Sequence, residues 1–370
     1  MLKHLHIQNF TVFADADFEF VQGLNVLVGT NGTGKSHVLK LGYAVELAYA
    51  AAPSEKKEAS VSNKQDAQIA FGFGIISRLS DVFLLKDASK LARRSGSKIS
   101  APNIKVTFGK EAKGILQFSI SESTTKSLTI DNSPIISGQL KKPVFIPAKE
   151  VLSLSRAISL SEDYNDLFDL TYTEVHKLLL KPTLKSPPAY IANALESLMK
   201  VILGNFDVEN GQFYFASEQG TRFEIDMVAE GYRKLGALAI LLANGNLSKE
   251  NTLYWDEPEA NLNPALLREL AKVLVELARQ DFQIILATHS MGLLKEFHIL
   301  SRQKDAKLLR IKYFGLNAEL GEATRVISTS NFEYLPDVVA LAEELKQADE
   351  LEEIFIREDQ EYHANNRGKE

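Results

Sequence analysis

Eight residues, Gly29-Thr30-Asn31-Gly32-Thr33-Gly34-Lys35-Ser36, fit the pattern G-x-x-x-x-G-K-[ST]. A segment of this kind forms a loop whose backbone N–H groups cradle nucleotide phosphates, and it needs a strand before it and a helix after it. Both flanks are legible. Residues 24–28 are an apolar, β-branched run, and residues 36–45 have helix-like spacing. Gly29, Gly32 and Gly34 let the backbone turn tightly and come close to the phosphates. In such a loop Lys35 reaches the β- and γ-phosphates, and the Ser36 hydroxyl holds Mg²⁺. The helix N-terminus adds its positive dipole end.

Elsewhere the chain alternates strand and helix. Residues 2–7, 13–20 and 24–28 read as strands, 51–66 as a mobile loop and 67–92 as helix. Residues 104–108, 114–119 and 126–130 alternate apolar and polar, which describes an antiparallel β-layer, and residues 144–147 read as its closing strand. Helical spacing follows over 150–204, broken by prolines, with no heptad repeat. A hairpin is expected at 211–227, then a helix to Ala243 and two buried strands ending in polar groups at 256–257 and 288–290, with a helix from Pro264 to Arg279 between them. Edge strands are expected over 306–328, and an amphipathic helix over 336–356.

Composition narrows the setting. The 370 residues are 45% hydrophobic and contain no cysteine, which excludes disulfides and thiolate metal sites and suits a reducing cytoplasm. No apolar run approaches the roughly 18 residues of a membrane span, so a soluble chain with no membrane contact is expected. The net charge of −6 is unevenly spread. Residues 86–149 carry twelve Lys/Arg against four Asp/Glu, and residues 333–370 carry the reverse, four against twelve. A basic stretch of this kind is either a solvated face or a nucleic-acid footprint.

Two further segments bring chemistry to the loop. Asp256 and Glu257 end an apolar strand, where Asp256 can hold Mg²⁺ and Glu257 can orient the attacking water. His289 ends the next buried strand and can donate a hydrogen bond to the γ-phosphate.

The order of these segments resembles the heads of ABC-type ATPases. Asn9-Phe10 and the Gly29–Ser36 loop look like the SMC, RecF and OLD branch rather than membrane transporters. Within that branch the chain resembles the AAA_15/AAA_21-type, OLD-like ATP-binding proteins. Ala229-Glu230-Gly231-Tyr232-Arg233-Lys234-Leu235 and Trp255-Asp256-Glu257-Pro258-Glu259-Ala260-Asn261-Leu262-Asn263-Pro264 carry the likeness. These motifs cover about residues 1–45 and 225–300, and the middle matches in layout only.

The resemblance implies an α/β P-loop NTPase with an ABC-type head, an antiparallel β-layer and a short helical insertion. With the strand, helix and charge patterns above, the expected division is an ATPase lobe at 1–150, the insertion at 151–205, a second ATPase lobe at 206–330 and an acidic helix and tail at 331–370. The resemblance also implies a head-to-tail dimer, or a higher oligomer, with two ATPs at the interface. Gly231 and the start of its helix, with Ala229 and Glu230, would then meet the γ-phosphate bound by the other subunit, beside Asn261 of the D-loop. Ala229 stands where the family carries a serine, so Arg233 or Lys234 could supply charge in trans instead. No metal-lining glutamine stands near residue 147, where Lys149 and Glu150 are found, and slow hydrolysis is expected. The adenine contact is open between Phe10, Phe13 and His6.

OLD proteins carry a TOPRIM nuclease domain, which has no counterpart in the 81 residues after His289. His363, Asn365 and Asn366 read as part of a polar tail. The implied function is a cytoplasmic ATPase whose nucleotide state governs a separate effector, such as a nuclease, in anti-phage defence. Competing readings are a DNA-binding repair ATPase using residues 86–149, a transporter ATPase subunit, and a scaffold in which ATP is structural.

Overall fold

The computed structural model describes residues 1–51, 64–95, 98–109, 114–120, 128–132, 141–160, 167–303, 309–319, 321–335, 346–347 and 349–358. The first half of the chain runs β1 (Leu2–Phe10), β2 (Phe13–Glu19), β3 (Leu24–Gly29), α1 (Lys35–Ala50) and α2 (Lys64–Phe83). Then come β4 (Arg93–Ser95), β5 (Lys98–Ser100), β6 (Asn103–Phe108), β7 (Ile115–Ile120), β8 (Leu128–Asn132) and β9 (Val144–Ile146). Three helices follow, α3 (Ser155–Leu160), α4 (Leu170–Leu179) and α5 (Ala192–Ile202). The rest runs β10 (Gly204–Glu209), β11 (Gln212–Ser217), β12 (Arg222–Glu224), α6 (Glu230–Ala243), β13 (Thr252–Asp256) and α7 (Pro264–Arg279). It closes with β14 (Gln283–Thr288), α8 (Met291–Ser301), β15 (Ile311–Asn317) and β16 (Arg325–Thr329).

A six-stranded sheet in the order β16-β15-β3-β14-β13-β9 forms the centre, parallel except for β16 at its edge. Every residue of β13 and β14 is buried, as is β3 up to Val28. Their largely apolar runs suit strands covered on both faces, and the enclosed Asn25 and Gln283 amides donate to the Ile284 and Leu2 carbonyls. A five-stranded antiparallel sheet, β2-β1-β6-β7-β8, lies over one side. In it β6 and β7 alternate half-buried and buried residues, as a sheet wet on one face should. Helix α1 lies between the two sheets and buries residues all round, with Leu39, Ala44 and Val45 fully enclosed. A second core packs α5, α6 and α7 against the other face of the central sheet.

Several expectations need correction. Residues 144–147 do not close the antiparallel layer. β9 pairs in parallel with β13 at the edge of the central sheet, because a short apolar run carries no sign of which sheet it joins. The layer is completed instead by β1 and β2, with Leu5 of β1 opposite Val106 of β6. The helix read over 67–92 ends at Phe83. Leu84 follows at φ +51, and Asp87 then caps a 3₁₀ turn, Ala88–Leu91. β10 begins where a stretch read as helical ends; it is mostly exposed and is recruited by β11, Phe206 opposite Phe215.

Residues 52–63 of the expected loop, 336–345 and 348 of the expected C-terminal helix, and His363, Asn365 and Asn366 lie outside the described residues. Residues 349–358 are helical, with Leu351 and Phe355 exposed. Among the described residues no helix is long and apolar enough to cross a membrane.

Candidate nucleotide site

The parallel strands β3, β13 and β14 end side by side, and the candidate residues follow them. At the end of β3 the loop turns through Gly32 at φ +83 and Gly34 at φ +91, and Gly34 caps α1. Gly34 has little room: a Cβ there would sit 2.6 Å from a Val12 methyl and 2.8 Å from the Phe13 ring. At Gly32 a Cβ would meet nothing within 4 Å, so that side of the cradle is open. The Thr33 hydroxyl donates to the Thr30 carbonyl at 2.8 Å. Lys35 is buried and donates to the carbonyls of Gly29 and Thr30 at 2.8 and 2.9 Å, folding across its own loop. Burial lowers its pKa, while Glu257, Asp256 and Glu259 pull it back up.

At the end of β13, Asp256 is 9% exposed and its carboxylate accepts the Ser36 hydroxyl. Burial raises its pKa, against that hydrogen bond, and its Oδ1 is buried with no partner. An orphaned carboxylate oxygen beside a serine hydroxyl fits Mg²⁺, which takes hard oxygen ligands and shares its shell with phosphates. Glu257 turns out of the strand at φ +46, with its N–H donating to the Ala287 carbonyl at 2.9 Å. That turn brings its carboxylate to 3.3 Å from Nδ1 of His289, which follows β14 and is half exposed.

Sequence reasoning does not single out Glu259. It is buried, and its Oε1 accepts the Thr288 hydroxyl at 2.6 Å and the His289 N–H at 3.2 Å. A third carboxylate in the run Asp256–Glu259 is the available signal, but nothing in the run says that it turns inward.

The signature segment stands on the adjoining side. Ala229 is exposed at the N-terminus of α6, and Gly231 is buried against Leu262 and Leu266. Asn261, at φ +62, donates to Glu230 at 2.8 Å. Neither cation offered for a trans contact projects from this surface. Lys234 is 2% exposed and donates to the carbonyls of Glu257 and Ala260 at 3.0 and 3.1 Å. Arg233 pairs with the buried Glu150 at 2.9 Å and donates to the Val228 carbonyl at 2.6 Å. Both side chains are drawn to carbonyl and carboxylate acceptors inside the chain, where a charged donor makes its strongest hydrogen bonds.

Phe10 and Phe13 are fully buried, edge-on to Phe83 and Phe18, and His6 pairs with Asp15 at 2.9 Å. Phe10 and Phe13 are thereby enclosed in the core, whereas the His6 ring stays partly exposed.

The family model AAA_21, described as "AAA domain, putative AbiEii toxin, Type IV TA system", matches residues 24–295, well over half of the chain. The chain belongs to the AAA_21 family. Among solved structures this AAA_21 chain is similar to an SMC head bound to the C-winged helix domain of ScpA. Identity is 14% and the TM-score 0.52, over 90% of this chain and 98% of that one. It is also similar to a Pyrococcus furiosus Smc head with an extended coiled coil bound to the C-terminal domain of ScpA, at 13% identity and TM-score 0.49. That match covers 95% of this chain and 99% of the other. No curated protein matches the sequence. At 14% identity the likeness to the first of these is one of fold, and the fold is that of an SMC head.

Proposed function

We propose that this AAA_21 chain binds ATP with Mg²⁺ and hydrolyses it slowly, and that the nucleotide holds two copies together head to tail. The observation that carries the reading is the meeting of Glu257 and His289 at 3.3 Å, beside Asp256 and the Lys35 loop at one sheet edge. Ligands of open parallel sheets bind at this edge.

In this reading the loop N–H groups and Lys35 take the phosphates, with Lys35 exchanging the Gly29 and Thr30 carbonyls for phosphate oxygens. Ser36 and Asp256 would hold Mg²⁺, which when bound draws charge from the β- and γ-phosphate oxygens. Glu257 orients the attacking water through its carboxylate. His289 keeps that carboxylate in place and can donate to the γ-phosphate. In a dimer, the start of α6 at Ala229–Gly231 offers backbone N–H groups to the γ-phosphate held by the other copy. Without a serine at 229, that contact is weaker than the family's usual one, in keeping with a switch rather than a motor.

The output of the switch is a separate effector, such as a nuclease, in anti-phage defence. The OLD-like motifs and the toxin description of the family support that role. The test of the core reading is Glu257→Gln. This variant should bind ATP, accumulate as a dimer by light scattering and show little turnover. Turnover at the wild-type rate removes Glu257 as the residue that orients the water.

A second reading uses the basic stretch 86–149, where β4, carrying Arg93 and Arg94, pairs antiparallel with β5. Duplex DNA should then bind with an affinity that falls steeply with salt, and charge reversal at Arg93, Arg94 and Lys98 should abolish it. Unchanged DNA binding in that variant discards the reading.

A further inference from the structure

The segment that carries Glu257 runs from the end of β13 to the start of α7, and it is fastened to α6 in three ways. The Lys234 ammonium donates to the carbonyls of Glu257 and Ala260. Asn261 donates to Glu230. Gly231 lies so near the segment that a Cβ would come within 3.2 Å of Leu262 and 2.9 Å of Leu266. The backbone of the segment is left-handed at both Glu257 and Asn261. Non-glycine residues persist in that conformation only where their surroundings over-determine it.

Lys234 is the costly part of this fastening. Burying an ammonium is unfavourable unless its donors find acceptors. Here they find two backbone carbonyls, one of which, Glu257, already accepts the Ala260 N–H at 3.1 Å. Local turn formation therefore does not require the lysine. What the lysine adds is a link between α6 and the one residue whose side chain must face the water.

We propose that Lys234 is a positioning residue for Glu257: from the signature helix of the same subunit it holds the main chain of Glu257 and so sets the aim of the carboxylate. The proposal rests on the reading of Glu257 as the residue that orients the attacking water. It also gives α6 a second task. The start of that helix, Glu230-Gly231, faces the other copy's nucleotide in the proposed dimer. Lys234, one turn further on, grips the chain's own hydrolytic residue, so displacement of the helix on closure would reach Glu257 directly.

The test compares wild type, Lys234→Met, Lys234→Gln, Glu257→Gln and the double variant Lys234→Met/Glu257→Gln as full chains. Affinity is read with trinitrophenyl-ATP, and hydrolysis in single turnover at saturating ATP-Mg²⁺. The geometry leads us to expect Lys234→Met to lower the hydrolysis rate about tenfold to hundredfold, the scale of a small misplacement at a reacting group. Nucleotide affinity should stay within about twofold, because Lys234 bonds to the Glu257 segment and not to the phosphate loop. Lys234→Gln, which keeps a donor, should fall between. The double variant should be no slower than Glu257→Gln, since the lysine acts through that carboxylate. An unchanged rate in Lys234→Met overturns the proposal, and so does a full additive loss in the double variant, which marks a general packing role. If Lys234→Met does not fold, Lys234→Gln decides: a wild-type rate refutes the proposal, and a lowered rate with intact affinity supports it. Equal rates in wild type and Glu257→Gln would instead take down the underlying reading of the site, and this proposal with it.

Discussion

The buried Glu259 carboxylate accepts the Thr288 hydroxyl at 2.6 Å, and this bond ties the segment after β13 to the end of β14 directly beside His289. The same oxygen accepts the His289 N–H. Glu257 and His289 thus face each other across a join made by a third residue that touches neither water nor phosphate in the proposed mechanism.

Removing that join should be felt in the rate. Glu259→Ala leaves the Thr288 hydroxyl and the His289 N–H without their acceptor. Lost hydrogen bonds to a charged group cost about 1.5–3 kcal/mol each. Glu259→Ala should therefore destabilise the chain by roughly 2 kcal/mol or more and slow hydrolysis about tenfold, while Glu259→Gln keeps an acceptor and much of both. Denaturant unfolding and steady-state turnover measure the two effects. Equal losses in the two variants would show that the hydrogen bonds are not what matters.

Gly34 and Gly32 both lie in the left-handed region, but their surroundings differ. Alanine at Gly32 meets open space and suffers only its backbone strain, about 1 kcal/mol. Alanine at Gly34 must also displace Val12 or Phe13, adding roughly 1–3 kcal/mol. Gly34→Ala should have the lower thermal midpoint of the two and the greater loss of nucleotide binding. Indistinguishable midpoints would contradict the close approach at Gly34.

For Lys35 the expected effect is on binding rather than folding. Lys35→Met gives up two hydrogen bonds to carbonyls of the loop, of which that of the exposed Thr30 can be replaced by water. Titration with ATP should show affinity at least about tenfold weaker, the scale of a lost charge-assisted contact of about 1.5–3 kcal/mol. The thermal midpoint of the free protein should move little. Undiminished ATP affinity would remove Lys35 from the phosphate site.

Glu46 supplies a pH dependence away from the site. Its carboxyl is buried between β13 and α1, accepting the Thr252 and Tyr254 hydroxyls at 2.9 Å each. Burial raises its pKa above the ordinary 4.5, and the amino terminus and the two hydroxyls only partly offset this. The folded state therefore holds a proton that the unfolded state releases. The resulting stability is fully present below the unfolded value of 4.5 and is lost as the pH rises through the folded value. Glu46→Gln keeps the shape without the titration. Relative to this variant, the wild type should lose stability as the pH rises above 4.5; a difference that is flat with pH would refute the assignment.

The amino-acid sequence by itself determined the parts of this protein that are local. The loop Gly29–Ser36 is legible because glycine spacing and a lysine-serine pair carry a phosphate cradle within eight residues. α7 is legible from Pro264 to Arg279 because its apolar stripe is regular and Asn263 caps it, accepting the Leu266 N–H. Asp256, Glu257 and His289 stand out because buried parallel strands read as continuous apolar runs that stop at polar residues.

Tertiary structure alone decided which strands are neighbours and where the long side chains end. β9 joins the central sheet, and β1 and β2 join the antiparallel layer, because pairing between strands far apart in the chain leaves no trace in local periodicity. Lys234 and Arg233 look like surface cations on a helix. Folding instead brings carbonyls and Glu150 within their reach, and a buried cation takes whatever acceptors the packing provides.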